Sequence, residues 1–238
     1  YAGAEVGAQR LRPRGRLYTL RNRLGSCIVG ELREMGPAER YRAELGRPGF
    51  VHDPAQERAV GELQRVYEEL TGRPARGRMR RLVSRVAGDS REPVMGLYLW
   101  GGVGRGKSML MDLFFDVAPV EAKRRVHFHA FMQDVHRRLH EWRKTNAGDP
   151  LQPLALELAR EAWLLCFDEF QVSDIADAMI LGRLFEALIA GGVTVVATSN
   201  RSPDALYHNG VNRQLFLPFI AMLDEHLEVA AVKGAVDY

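Results

Sequence analysis

The sequence predicts an α/β fold, a parallel five-stranded sheet flanked by helices and preceded by an N-terminal helical extension. Three observations predict it. After Pro93, short apolar runs of strand length alternate with helix-length stretches, the pattern of strands joined by crossover helices. Runs such as WLLCF and VTVVA are apolar at successive positions, as strands covered on both faces require. A glycine-rich turn, GGVGRGKS, stands between the first of these strands and the helix that follows.

In chain order, residues 1–34 form an Arg-rich head with seven arginines against Glu5, Glu31 and Glu34 and no apolar periodicity. It starts at Tyr1 rather than Met, and Met35 precedes the first helical pattern, so the head reads as a translated leader, a transit peptide or a non-native addition. Residues 35–92 read as a helical extension with a basic linker. Pro37 suits the first turn of a short helix, PAERYRAEL, closed by Gly46. A longer helix follows: Asp53 caps it, Pro54 suits its first turn, Gln56 stands at the capping-box position, and Ala59, Leu63, Val66, Tyr67 and Leu70 form its apolar stripe up to Gly72. The linker over 73–92 carries Arg73, Arg76, Arg78, Arg80, Arg81, Arg85 and Arg91, either as a solvated connector or as a strip for phosphate or a partner.

Residues 93–238 hold the sheet. Strands are expected at 94–100, 125–129, 163–168, 193–198 and 227–232, with helices near 106–116, 130–144, 153–161, 174–190 and 213–224. In the last helix Leu215, Phe216, Phe219, Ile220 and Leu223 are expected to face the sheet.

A chain of 238 residues with 46% hydrophobic and 26% charged residues is neither disordered nor fibrous. Arg183 and Glu186 break the longest apolar stretch, so no span crosses a bilayer and a soluble or peripheral protein is expected. The two cysteines, Cys27 and Cys166, make no disulfide framework and favour a reducing compartment; Cys166, mid-strand, reads as an inert core thiol. The net charge of +3 comes from the head, and the remainder is close to neutral, so no nucleic-acid partner is expected.

The chemistry begins at Gly101–Ser108, which satisfies G-x-x-x-x-G-K-[ST] between a strand and a helix. The expected nucleotide cradle is Gly101, Gly102, Val103, Gly104, Arg105, Gly106, Lys107, Ser108 and Met109, because glycines let backbone N–H groups approach phosphate oxygens at a helix N-terminus. Lys107 would neutralise the β- and γ-phosphates, and Ser108 would place its hydroxyl on Mg²⁺. WLLCFDE, a buried strand ending in two carboxylates, supplies Asp168 to hold the metal and Glu169 to polarise the attacking water. VTVVATSN delivers Asn200 at a strand end to hold that water, unless it is a turn residue. Arg213 is read as a finger supplied to a neighbouring subunit, with a surface salt bridge as the plainer reading and Arg201 as the rival. His127 and His129 on one strand face, with His136 and His140 on the next helix, could assemble a zinc site, but no Cys or acid accompanies them and packing is the preferred reading. Trp100, Trp142 and Trp163 read as core or interface aromatics.

These residues resemble the ZapE-type cell-division ATPases and their mitochondrial relatives, the lactation-elevated ATPases, of the AAA+ class. The likeness lies in GLYLWGGVGRGKSMLMDLFF, HFHAFMQDVH, LLCFDEFQVSDIADAMIL, ATSNRSPDALYHNGVNRQLFLPFI and the closing AVDY, from about Met35 to Tyr238. The resemblance implies an ATP- and Mg²⁺-dependent AAA+ P-loop ATPase. Lys107 and Ser108 match its Walker A motif, Asp168 and Glu169 its Walker B, Asn200 its sensor 1, and Arg213 its finger. Val211 and Asn212 stand where Leu and Gln are usual. It implies a homo-oligomer that remodels a protein partner, the FtsZ-type division polymer in a bacterial cytoplasm, with peripheral membrane association. The alternatives are a non-hydrolysing nucleotide-gated scaffold, or a mitochondrial protein-turnover ATPase if the head is a transit peptide. The family chain continues beyond the aspartate–tyrosine pair into a helical lid, which this sequence, ending at Tyr238, is expected to lack or carry truncated. Nothing reads N-K-x-D, and DEFQ lacks the glycine of D-x-x-G, which disfavours a GTPase.

Overall fold

The computed structural model describes residues 35–72 and 94–232; the Arg-rich head, the basic linker and the closing AVDY lie outside the described residues. Two helices come first, α1 (Pro37–Leu45) and α2 (Pro54–Thr71), and Asp53 caps α2 by accepting the Ala55 N–H at 2.8 Å. The remaining elements are β1 (Gly96–Trp100), α3 (Lys107–Val117), β2 (Lys123–His127), α4 (Phe128–Thr145), α5 (Leu151–Glu161), β3 (Leu164–Asp168), α6 (Ile175–Ala190), β4 (Thr194–Ser199), α7 (Leu217–His226) and β5 (Leu227–Ala231).

The five strands pair in parallel in the order β2-β3-β4-β1-β5. In register His127 stands beside Asp168 and Trp100 beside Ser199, so these strands end level and present one carboxyl edge. Ligands bind outside that edge in open α/β sheets.

The pleat explains why both faces are apolar. Leu97 and Leu99 of β1 and Cys166 of β3 point to one side, where Leu63 and Val66 of α2 and Leu110 and Phe114 of α3 cover them. Tyr98, Leu165 and Phe167 point to the other, against α4 to α7. There Phe128, Phe131, Phe167, Phe170, Phe185 and Phe219 form a continuous aromatic cluster, with Phe128 and Phe170 centroids 4.1 Å apart. Burying each such ring contributes about 1.5–3 kcal/mol. Burial holds the Cys166 thiol well above its ordinary pKa, as an inert core thiol requires. Among the described residues no helix is long and apolar enough to cross a membrane.

Several boundaries differ from expectation for identifiable reasons. The second strand runs 123–127 rather than 125–129, because Phe128, Phe131, Met132, Val135 and Leu139 bury at helical spacing and start α4 at Phe128. His129 is therefore helical and shares no strand face with His127. His136 bonds Asp177 of α6 at 2.7 Å. Among the described residues no group of three or more His, Cys, Asp or Glu side chains could hold a metal. Arg213–Leu215 is a single 3-10 turn, and the last helix begins at Leu217, because Pro218 has no N–H and fits only a first turn. Leu215 is consequently 61% exposed instead of facing the sheet, while Phe216, Phe219, Ile220 and Leu223 are buried. Helix α5 begins two residues earlier than expected, at Leu151, whose N–H bonds Asp149.

Candidate active site

The glycine-rich turn links β1 to α3. Gly104 and Gly106 have φ of 77° and 81°, a left-handed backbone that side chains disfavour, so the loop closes on itself only with glycine there. Lys107, the first residue of α3, is 8% exposed. Its Nζ donates to the carbonyls of Gly101 at 2.8 Å and Gly102 at 2.6 Å, and to Asn200 Oδ1 at 3.0 Å. The last contact joins the start of α3 to the residue after β4 across 93 positions of sequence. Burial, and then the neighbouring Arg105 charge, lower the Lys107 pKa below its usual value.

Asp168 ends β3 and Glu169 follows it in a left-handed conformation, φ 55°, which costs a non-glycine residue about 1–3 kcal/mol. β4 holds it there. Thr198 Oγ1 accepts from Glu169 N at 3.3 Å, and Thr198 O accepts from Phe170 N at 2.7 Å. Next door, Ser199 Oγ donates to Phe170 O at 2.7 Å and accepts from Arg201 N at 3.1 Å, while the Tyr98 hydroxyl donates to Arg201 O at 3.0 Å. Burial raises the Tyr98 pKa, keeping the phenol a donor.

A cavity of about 400 Å³ gathers these elements, lined by Val103 to Met109, Glu169, Thr198, Ser199 and Asn200. The structure thus brings together Val103, Gly104, Arg105, Gly106, Lys107, Ser108, Met109, Glu169 and Asn200. Gly101 and Gly102 contribute carbonyls to Lys107 from beneath. Asp168 does not line the cavity: Arg125 of β2 holds its carboxylate with both Nε, at 2.7 Å, and Nη2, at 3.2 Å, and also bonds Asp112 of α3. Burial alone would lower the Arg125 pKa, but those carboxylate bonds outweigh it and raise it. Arg213 lies away from the cavity lining; its Nη2 donates to Asp204 O at 2.6 Å, and its buried Nε has no hydrogen-bond partner.

Four contributors escaped the sequence reading. Thr198 and Ser199 were signalled by two polar residues closing an otherwise apolar strand. Gln56 was signalled too, since it falls on the apolar stripe of α2, yet it makes no capping box. It is buried against the phosphate loop, where its Nε2 donates to Arg105 O at 3.2 Å. Arg125 gave no signal, because a cation on an edge strand ordinarily points to solvent.

The residues fit a nucleotide with its metal. A glycine loop at the N-terminus of an eleven-residue helix, with a buried lysine, offers N–H groups and positive charge to a polyphosphate. The Ser108 hydroxyl, in the cavity lining, is a hard oxygen donor of the kind Mg²⁺ prefers, and the Asp168 carboxylate, bonded to Arg125, is a second, one residue before the Glu169 that lines the cavity.

A family model described as AFG1-like ATPase matches residues 35–238. The chain is similar to cell division protein ZapE of Escherichia coli, 44% identical over 215 residues that cover 87% of this chain and 57% of that protein. It is also similar to lactation elevated protein 1 homolog B of Danio rerio, 50% identical over 155 residues that cover 61% of this chain and 31% of that protein. The chain therefore spans little more than half the length of the Escherichia coli relative. Among solved structures it is similar to the crystal structure of DnaI, with a TM-score of 0.54 and 13% identity over 87% of this chain and 93% of that one. At that identity the likeness shows the fold alone, a parallel five-stranded sheet flanked by helices.

Proposed function

The chain belongs to the AFG1-like ATPase family, and on that premise we propose that it hydrolyses ATP with Mg²⁺ and uses the energy to remodel a protein partner. The observation that carries the reading is the convergence of Lys107, Glu169 and Asn200 on one cavity at the carboxyl edge of the sheet.

In this reading the N–H groups of Gly104 to Lys107 and the Lys107 ammonium bind the phosphates, with Lys107 exchanging carbonyl partners for phosphate oxygens. Ser108, in the cavity lining, would hold Mg²⁺ directly and Asp168, its carboxylate bonded to Arg125, would reach the ion through its water shell; the bound ion would supply charge neutralisation at the transferred phosphoryl group. Glu169 accepts a proton from the attacking water as that water approaches the γ-phosphate. Asn200 orients the water through its side-chain amide, and its contact with Lys107 ties that orientation to the phosphate loop. Arg213 serves as the finger across a subunit boundary of a homo-oligomer, consistent with its place outside its own chain's cavity.

The Escherichia coli relative is a cell division protein, which supports a division-related protein partner; the resemblance extends that reading to a division-ring polymer of the FtsZ type, a bacterial cytoplasmic location and peripheral membrane association. A second reading follows from the resemblance to the lactation-elevated ATPases, the group of the Danio rerio relative: a mitochondrial ATPase of protein turnover. Phosphate release by the purified chain, with and without Glu169→Gln, separates an enzyme from a nucleotide-gated scaffold: equal rates would overturn hydrolysis at this site. Co-sedimentation with division-ring polymer in ATP and in ADP tests the partner, and no nucleotide-dependent binding would remove it.

A further inference from the structure

The helical pair ahead of the sheet reaches the phosphate loop through one side chain. Gln56, in the first turn of α2, is 2% exposed, and its two amide atoms are both engaged. Its Oε1 accepts from the Tyr41 hydroxyl of α1 at 3.3 Å, and its Nε2 donates to Arg105 O at 3.2 Å. Tyr41 is also 2% exposed, and the backbone N–H of Ala38 on α1 donates to Gln64 of α2 at 3.1 Å, so the two helices are fastened together. The approach to the loop is close: a Cβ on Gly106 would stand 2.7 Å from Gln56 Nε2.

A trans peptide carries its C=O and N–H on opposite sides. Fixing Arg105 O against Gln56 therefore turns the N–H of Gly106 away from Gln56. Arg105 and Gly106 line the cavity, whereas Gln56 does not. The buried amide thus sets the plane of the Arg105–Gly106 peptide, both of whose residues line the cavity.

We propose that Gln56 is a positioning residue of the phosphate loop, held by Tyr41, through which the α1–α2 pair sets nucleotide affinity. The inference builds on the nucleotide reading of the cavity. Replacing Gln56 by Leu removes the bond to Arg105 O and leaves the Lys107, Glu169 and Asn200 contacts in place. Gln56→Glu keeps an acceptor for Tyr41 but, ionised, cannot donate to Arg105 O.

The test uses the 238-residue chain. Titration with a fluorescent ATP analogue and Mg²⁺ should show about five- to tenfold weaker binding for both Gln56→Leu and Gln56→Glu, the effect of about one lost hydrogen bond. Tyr41→Phe, which keeps the donation to Arg105 O, should stay within threefold. Steady-state phosphate release should show the loss in KM, with kcat within twofold of the parent. Hydrogen exchange without nucleotide should show faster exchange confined to the amides of 104–107. Unchanged affinity in both Gln56 variants, or faster exchange spread throughout α2 and α3, overturns the proposal. If the parent itself binds no nucleotide, the nucleotide reading fails, and the exchange measurement alone decides the role of Gln56.

Discussion

Replacing Thr198 by Val should slow hydrolysis without weakening nucleotide binding. Glu169 is held in a left-handed conformation that costs about 1–3 kcal/mol, and two hydrogen bonds to Thr198, one from its own backbone N–H and one from that of Phe170, oppose that cost. Each is worth about 1 kcal/mol. Valine keeps the branched shape and the backbone carbonyl that accepts from Phe170, but lacks the Oγ1 that accepts from Glu169 N. Thr198 is buried, so no exposed surface changes. A loss of about 1 kcal/mol lowers the population of the productive Glu169 orientation, and hence kcat, about fivefold. Affinity should stay within twofold, because Lys107 takes its contacts from Gly101, Gly102 and Asn200. Steady-state phosphate release read against Glu169→Gln as the baseline, with a separate nucleotide titration, measures both. Thr198→Ser, which retains the hydroxyl, should restore most of the rate. An unchanged kcat in the valine protein, or no recovery with serine, would refute the link between β4 and Glu169.

Lys107→Ala removes the buried cation of the phosphate cradle and should weaken ATP binding by about a hundredfold or more, two bonds to a charged group at about 1.5–3 kcal/mol each; titration with ATP checks it, and unchanged affinity counts against the cradle. Glu169→Gln should bind ATP like the parent and hydrolyse it at least about a hundredfold more slowly, the span of general-base catalysis; turnover within tenfold of the parent removes the role of Glu169. Arg213→Ala should bind ATP nearly normally and lose roughly 10³ or more in rate, and mixing it with Lys107→Ala protein should recover part of the activity; no recovery where oligomers form would leave Arg201 as the candidate. Asp134 is held below the usual carboxylate range, since its bonds to Arg138 and Arg137 outweigh the burial that would raise it. A depressed carboxylate adds stability above its unfolded pKa of about 3.9 and loses it as pH falls through the folded value, so the destabilisation by Asp134→Asn in urea should shrink from pH 7 to pH 3, and a constant difference would contradict the pairing.

The sequence by itself determined the alternation of strands and helices, the phosphate loop, the acidic pair at the end of β3 and Asn200 at the end of β4. These are legible because each is a local pattern: an apolar run sets a strand, glycines set a tight turn, and a polar residue at a strand's carboxyl end meets solvent. Asp53 illustrates it, since an acid before Pro54 predicted a cap and the cap formed. Local patterns also misled where tertiary packing outweighed them. The run through His127 and His129 reads as strand until the aromatic cluster takes Phe128 and Phe131 at helical spacing.

Only the tertiary structure decided which distant groups meet. Insertion of β4 between β1 and β3 puts Thr198 under Glu169, 29 positions earlier, and Asn200 beside Lys107. The β2–β3 pairing hands Asp168 to Arg125, 43 positions away, and the docking of α2 on α3 sets Gln56 against Arg105, 49 positions away. Hydrophobic periodicity fixes which face of an element is buried, but strand order and register fix its neighbours, and these depend on packing free energy summed over the whole core.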